Sequence, residues 1–462
     1  MYHGSVLPGV FPGPAWSAGE PVVAQGYGYF SLRGLNSPAL TRDADVKELQ
    51  INGKRLWDAL MALAEIGAYQ DERTGLKGVN RLALTDADAQ GRRLVKRWFE
   101  EAGLEVRVDR IGNVIGRRRG KRGGDAPVMS GSHIDSVPTA GAFDGCLGVL
   151  GALECVRTLN DLGVETERPL EVAFFTDEEG CRFGTDMLGS AVAVGRLELE
   201  TAYALKDRDG VTVRAELERH GFLGTAPERL TPPHAYVECH IEQGPILRAA
   251  NMDLGVVTGV QSISWQEVSI TGKSAHAGTT PMSLRADAGL AAARIAVRLH
   301  EMALSGRYGE MRATMGAVQP HPGMVNIVPG RTRCTVDLRN PDDAMMAAAE
   351  KDLEAFYRSL EKEMNVTISW RQTARTPRIG FSEQVQAVLA RHMDAAGHKH
   401  QRIMSGAGHD AQEIASLCPT AMIFVPGEYD GISHNPREYS TPEACTRGVN
   451  ILLKALVELA SS

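Results

Sequence analysis

The sequence predicts an α/β fold with a largely parallel central sheet, interrupted by a smaller inserted α+β domain. Three observations carry this. From Asn52 to about His240, helix-periodic stretches alternate with short apolar stretches, the order expected of a sheet covered by helices. Between about Leu254 and Ser369 the order becomes strand, helix, strand, strand, helix, strand, that of a ferredoxin-like unit. The first pattern resumes at Phe381, so the smaller unit is inserted, not appended. The expected division is an extended arm over 1–44, a catalytic domain over 45–253 and 370–462, and an inserted domain over 254–369.

The elements follow in chain order. Residues 1–44 are rich in Gly, Pro and Ser and lack periodicity, so they read as an arm ordered only against the body or a partner. Leu56, Leu60, Leu63 and Ile66 recur at helix spacing. Thr85 with Asp88 forms a capping-box pattern that opens a second helix, through about Ala102. LEVRVDRIGNVIGRR reads as strand material, and another strand leads into GSHIDSV. A helix is expected from Asp144 to about Leu162, then the strand PLEVAFFT, which ends at Asp177-Glu178-Glu179. The strand AYVECHIEQG carries His240. In the insert, SWQEVSITG, MRATMGAV, RTRCTVDLR and VTISW are strands. Helices span about Met282 to Leu304 and Asp342 to Met364.

Composition narrows the function. The chain has 462 residues, too many for one ordinary core. A hydrophobic fraction of 43% and a charged fraction of 23% are those of a soluble globular protein. A net charge of -7 argues against a nucleic-acid partner. The densest basic run, RRRGKR from Arg117 to Arg122, reads as a solvated hairpin or loop. Seven cysteines without close spacing or a CxxC make no disulfide framework. Cys146, Cys155, Cys239 and Cys334 sit in apolar patterns and read as core. A reducing, cytoplasmic setting is therefore expected. No apolar run approaches the ~20 residues of a membrane span, and no secretory signal is expected.

Five polar, turn-rich stretches each present a metal-binding side chain: GSHIDSV (His133), GAFDG (Asp144), FTDEEG (Glu179), ECHIEQG (His240) and ISHNP (His434). Three imidazoles and two carboxylates, with Glu178 to spare, suit two divalent ions and a base that deprotonates water. The dispersal of these residues along the chain indicates a folded catalytic centre, not a zinc finger. His133, Glu178, Glu179 and His240 fall at or just past predicted strand ends, where open α/β sheets build sites. Asp135 is placed to hold the other ring nitrogen of His133. Taken singly, each residue has a plain structural role: turn histidine, N-cap aspartate, acidic turn. Gly272-Lys273-Ser274 is not a P-loop, because the required earlier glycine is Glu267. Gly406-Ala407-Gly408 lacks the opening unit of a dinucleotide site and reads as a loop whose amides approach a substrate. Imidazole and carboxylate ligands without thiolate suit zinc, manganese, cobalt or nickel.

With these residues laid out, the chain resembles the di-metal amidohydrolases of the carboxypeptidase-like metallopeptidase superfamily. The similarity is to the branch of N-carbamoyl amino acid hydrolases, β-ureidopropionases and allantoate amidohydrolases. GSHIDSVPTAGAFDG, DEEGCRF, HIEQGP, GKSAHAGTTPM, NIVPG, DLRNP, SGAGHDA and SHNPREY carry it, over roughly Ile51 to Leu459. His240 marks the branch, where peptidase relatives often have a carboxylate. The resemblance implies that Asp144 bridges two ions, that His133 and His240 complete one site, and that Glu179 and His434 complete the other. It implies Glu178 as general base and proton donor, and His276 as oxyanion stabiliser. Asn326 and Arg339 would grip the substrate, with Gln243 as a further polar contact. A homodimer formed through the inserted lid domains is implied too. The expected substrate is a small ureido acid, an N-carbamoyl-L-amino acid or N-carbamoyl-β-alanine. Allantoate, or a dipeptidase or aminoacylase-like amide, is the alternative. INGKRLWDAL and KDRDG resemble the β-ureidopropionase and carbamoylase members and lean away from allantoate.

Overall fold

The computed structural model describes residue 46 and residues 48–461; the expected arm over 1–44 lies outside the described residues. Helix Gly53–Ala64 forms where the Leu56, Leu60, Leu63 stripe predicts it, and Asn52 caps it by accepting from the Arg55 amide. Helix Asp86–Glu101 begins at Thr85, whose hydroxyl accepts from the Asp88 amide. The return arm of the capping box differs from the usual one. Asp88 accepts from the Leu84 amide at 2.8 Å, one residue early, while also pairing with the buried Arg92 at 2.7 Å.

The larger sheet has nine strands. Its centre is four parallel strands in the order Leu170–Phe175, Val128–His133, Ala235–Ile241, Thr420–Val425. Antiparallel strands flank that centre, so the sheet as a whole is mixed. On one side the hairpin Glu105–Val108 and Val114–Arg118 turns within a few residues, and so short a link permits only antiparallel pairing. On the other side lie Leu254–Val260, His400–Ser405 and Ile379–Gly380. Helix Cys146–Asp161 is apolar nearly all round because it is enclosed. It packs between the sheet and helices Gly53–Ala64 and Pro442–Ala460. The opposite face buries Met129, Phe175, Tyr236 and Met422 with Ala411 and Ile414 of helix Asp410–Ile414.

The smaller sheet is antiparallel and five-stranded. Arg312–Thr314, Arg331–Asn340, Ser262–Thr271 and Thr367–Thr376 lie side by side, and Val318–His321 also pairs with Arg331–Asn340. Helices Ala288–Leu304 and Asp343–Met364 cover it around a separate core that includes Val268, Ile295, Leu338, Leu353 and Ile368. Two details depart from expectation. MRATMGAV is not one strand. It breaks at Ala317, whose carbonyl and amide both bond to Thr335, through its amide and its hydroxyl. The crossings between sheets also shift. Leu254–Val260 belongs to the larger sheet and Thr367–Thr376 to the smaller, which moves the turnover points from 254 and 369 to near Gln261 and Pro377.

The basic run is matched by acids: Arg117 meets Glu171, Arg119 meets Glu105 and Lys121 meets Glu167. Among the described residues no helix is long and apolar enough to cross a membrane.

Candidate metal centre

The carboxyl ends of the four central strands converge. His133 is the last residue of its strand, opposite Phe175, and Asp177-Glu178-Glu179 follow just beyond. His240 is the penultimate residue of Ala235–Ile241, opposite Phe424, and the loop after Thr420–Val425 brings in His434. Asp144 comes from the turn before helix Cys146–Asp161. It was expected at the helix start, but Gly145 is the N-cap and Asp144 leaves its carboxylate free for the centre.

Among the described residues three three-residue groups have ligand atoms within 4.8 Å of one another: Glu238, His240, His409, and the two that meet at the centre, His133, Asp144, His240 and Asp144, Glu179, His434. Asp144 is common to both. Its Oδ1 lies 3.6 Å from His133 Nε2 and 3.3 Å from His240 Nε2, and its Oδ2 lies 3.5 Å from His434 Nε2. His434 Nε2 is 3.4 Å from Glu179 Oε2. Glu178 reaches the first group, with Oε2 3.5 Å from His133 Nε2. All except His434 and Glu179 are buried, and His434 is half exposed, so the second group faces the opening.

Hydrogen bonding shows that these atoms fit a cation. His133 Nδ1 donates to the Asp135 carbonyl at 3.0 Å, and His240 Nδ1 donates to the Ile241 carbonyl at 2.8 Å. The Gly145 amide donates to His240 Nε2 at 3.1 Å, so that nitrogen carries a lone pair. With both Nδ1 atoms already engaged by carbonyls, the Nε2 atoms of His133 and His240 converge on one Asp144 oxygen, an arrangement a positive ion satisfies. Glu179 Oε1, buried without a hydrogen-bond partner, is a further open donor atom. Asp135 holds the other ring nitrogen of His133, as expected, and does so through its main-chain carbonyl. Its side chain instead accepts from the amides of Glu178 (3.3 Å) and Glu179 (3.4 Å), which aims that turn.

The charges of the protein groups alone reflect this crowding. Burial opposes ionisation of Asp144, but the three imidazoles hold its carboxyl well below the usual range. Burial pushes Glu178 well above its ordinary value despite His133. Burial and Asp144 raise Glu179 to about 7. Burial disfavours charge on His434, yet Asp144 and Glu179 lift it to about 9. Asp177, Gln243 and His434 have φ of 53, 57 and 54, left-handed values uncommon for residues with a side chain.

Of the other expected residues, Gln243 joins the cluster, with Nε2 donating to Asp144 Oδ2 at 2.7 Å. Arg339 is held by Asp337 (Nε–Oδ1 2.8 Å, Nη2–Oδ2 2.9 Å) and donates through Nη1 to the Gly406 carbonyl at 3.3 Å. Gly406 is thus engaged through its carbonyl, which also accepts from Gln261. His276 lies on a separate two-stranded ladder and Asn326 just before its second strand, both exposed. His276 Nδ1 accepts from the Gly278 and Thr279 amides, so its proton resides on Nε2. Among the described residues neither bonds to the ligand cluster.

Several residues escaped the sequence reading. Glu438 accepts from the Phe143 and Asp144 amides, and Ser433 donates to Asp144 Oδ2 at 2.7 Å. Glu238 takes bonds from Ser132, Tyr236 and the Ala411 amide beneath His240. The His409 ring lies 4.6 Å from that of His240. SHNPREY contained Glu438, but its target lies about three hundred residues away and no local pattern marks it.

Comparison with known proteins agrees with this geometry. The family described as peptidase family M20/M25/M40 matches residues 129–458. The chain is 41% identical to an N-carbamoyl-L-amino-acid amidohydrolase of Rhizobium meliloti, over 89% of this chain and 97% of the relative. It is 38% identical to an N-carbamoyl-L-amino acid amidohydrolase of Geobacillus stearothermophilus, over 89% and 99%. A crystal structure of a hydantoinase/carbamoylase family amidase from Burkholderia vietnamiensis superposes with a TM-score of 0.86 at 44% identity, covering 90% of this chain and 99% of that one. Relatives named allantoate amidohydrolase (Bacillus subtilis, 32% identical over 87% and 97%) and ureidoglycolate hydrolase (Arabidopsis thaliana, 34% over 86% and 85%) also match; the second name was not foreseen. With a matching family spanning most of the chain and near full-length relatives above 30% identity, the protein belongs to peptidase family M20/M25/M40.

Proposed function

We propose that the protein hydrolyses the ureido C–N bond of an N-carbamoyl amino acid, giving the amino acid, ammonia and carbon dioxide. The observation that carries this is Asp144, shared by two ligand groups, with the buried Glu178 beside them. Near full-length similarity to two N-carbamoyl-L-amino-acid amidohydrolases supports the substrate class.

His133, Asp144 and His240 would hold one divalent cation, and Asp144, Glu179 and His434 a second. When bound, the pair supplies Lewis-acid polarisation of the ureido carbonyl and acidifies water. Zinc, manganese, cobalt and nickel all suit the ligand set. Glu178 accepts the proton of the attacking water on its carboxylate and returns it to the departing nitrogen; its burial raises its basicity and so favours taking up that proton. Gln243 steadies Asp144. Arg339 uses its Nε and Nη2 edge on Asp337 and keeps the Nη1 and Nη2 edge for a substrate carboxylate. The insert acts as a lid. His276, with its proton on Nε2, is preset to donate to an oxyanion, and Asn326 beside it adds a polar grip once that lid closes.

A homodimer through the insert is supported by exposed Leu290, Val297 and Leu304, seven residues apart on one helix, and by the exposed strand Val318–His321. Sedimentation at the mass of one chain would contradict it. Seven free cysteines support a reducing, cytoplasmic setting. Allantoate and ureidoglycolate form the second reading, favoured by the relatives so named. Ammonia release from N-carbamoyl-L-amino acids, N-carbamoyl-β-alanine, allantoate, ureidoglycolate and a dipeptide, with and without chelator, separates them. Preference for a non-ureido amide, or chelator-resistant turnover, would overturn the proposal.

A further inference from the structure

We propose that Glu438 is a positioning residue that locks the Asp144 turn to the His434 loop, so that both cation groups assemble or fail together. This rests on the two-cation reading and adds the residue that couples its halves. Glu438 is 6% exposed and lies outside both ligand groups. Its Oε1 accepts from the Phe143 amide at 2.9 Å and the Asp144 amide at 3.1 Å. Those amides lie in the turn before helix Cys146–Asp161, outside its ladder of hydrogen bonds, and the Glu438 carboxylate satisfies both. Its Oε2 lies 3.0 Å from the Ser433 hydroxyl, which is 2.7 Å from Asp144 Oδ2. Ser433 precedes His434, so Glu438 touches the main chain of the shared ligand and, through one hydroxyl, its side chain. The turn is moulded to Glu438: a Cβ on Gly141 would sit 2.5 Å from the Glu438 Cβ.

The chemistry required is an acceptor at a fixed reach, not a charge. Gln keeps Oε1 for the two amides, and its Nε2 can donate to Ser433, which still donates to Asp144. Asp keeps the charge and loses the reach.

Chelator-stripped full-length protein titrated calorimetrically with manganese tests this. Glu438→Ala should weaken both sites at least about tenfold, the scale of lost support around a metal ligand. Glu438→Gln should bind close to wild type, with the urea midpoint of the metal-free chain as the control for folding. Wild-type affinity in Glu438→Ala, loss at one site alone, or a Gln variant as weak as Ala would overturn the coupling. If the Ala variant does not fold, Gln against Asp decides: Asp must be the weaker, and equality or the reverse refutes the proposal. Wild-type protein that binds no manganese would instead remove the two-cation reading beneath it.

Discussion

Gly145→Ala tests the packing of the centre through one methyl group. Gly145 has φ +65 and separates Asp144 from the enclosed helix. A Cβ there would lie 2.4 Å from both Cε1 and Nε2 of His133, whereas ordinary contact begins at 3.4 Å. The imidazole must therefore retreat by about 1 Å, a displacement that can cost about a hundredfold in rate. It cannot swing freely, because Nδ1 is tied to the Asp135 carbonyl at 3.0 Å. The left-handed backbone adds about 1–2 kcal/mol of instability on its own. Manganese titration, kcat and Tm separate the two effects: affinity and kcat should fall together and much further than Tm accounts for. Gly123→Ala is the control, since a Cβ there has nothing closer than 4.0 Å. A Gly145→Ala enzyme with wild-type affinity and rate would show that His133 does not face the shared site.

Three further outcomes are expected. Glu178→Gln should retain both cations and lose about 10²–10⁴-fold in kcat, the usual contribution of a general base; near wild-type turnover would remove Glu178 from that role. Arg339→Ala should raise KM for carboxylate substrates and barely change KM for their carboxamide analogues, and equal effects on the two series would refute carboxylate recognition. Cation affinity should rise from pH 6 to 9. Glu179 titrates at about 7 and His434 at about 9 in the protein alone, so a cation displaces protons from both at low pH and from neither above pH 9. Calorimetry in buffers of different ionisation enthalpy should show that release, and a pH-independent affinity would contradict it.

Much of this centre is legible in the chain. A histidine ending an apolar strand, or acids just past one, announces a site at the carboxyl edge of a parallel sheet, and His133, Glu178, Glu179 and His240 occupy such places. The order of the insert was readable because its two helices are long and its strands alternate; Arg331–Asn340 buries every second residue through most of its length. What escaped is set by tertiary contact. Asp144 looks like an N-cap until the backbone shows the helix starting two residues later. Asp135 was placed to hold His133, but which of its oxygens does so, the main-chain carbonyl, is a matter of the fold. Ala317 breaks its strand because Thr335 on the neighbouring strand offers it both an acceptor hydroxyl and an amide. Glu438, Glu238 and His409 act on residues far away in sequence, and no periodicity encodes such a pairing. The five converging residues are legible only as a set, imidazoles and carboxylates in polar turns, whereas their supports are ordinary acids and serines.

Anomalous diffraction from crystals of manganese-loaded protein addresses the shared role of Asp144 most directly. Two peaks about 3.5–4 Å apart are expected, one among His133, Asp144 and His240 and the other among Asp144, Glu179 and His434. A single peak that Asp144 does not touch, or density for manganese only elsewhere, would contradict a centre built around that carboxylate.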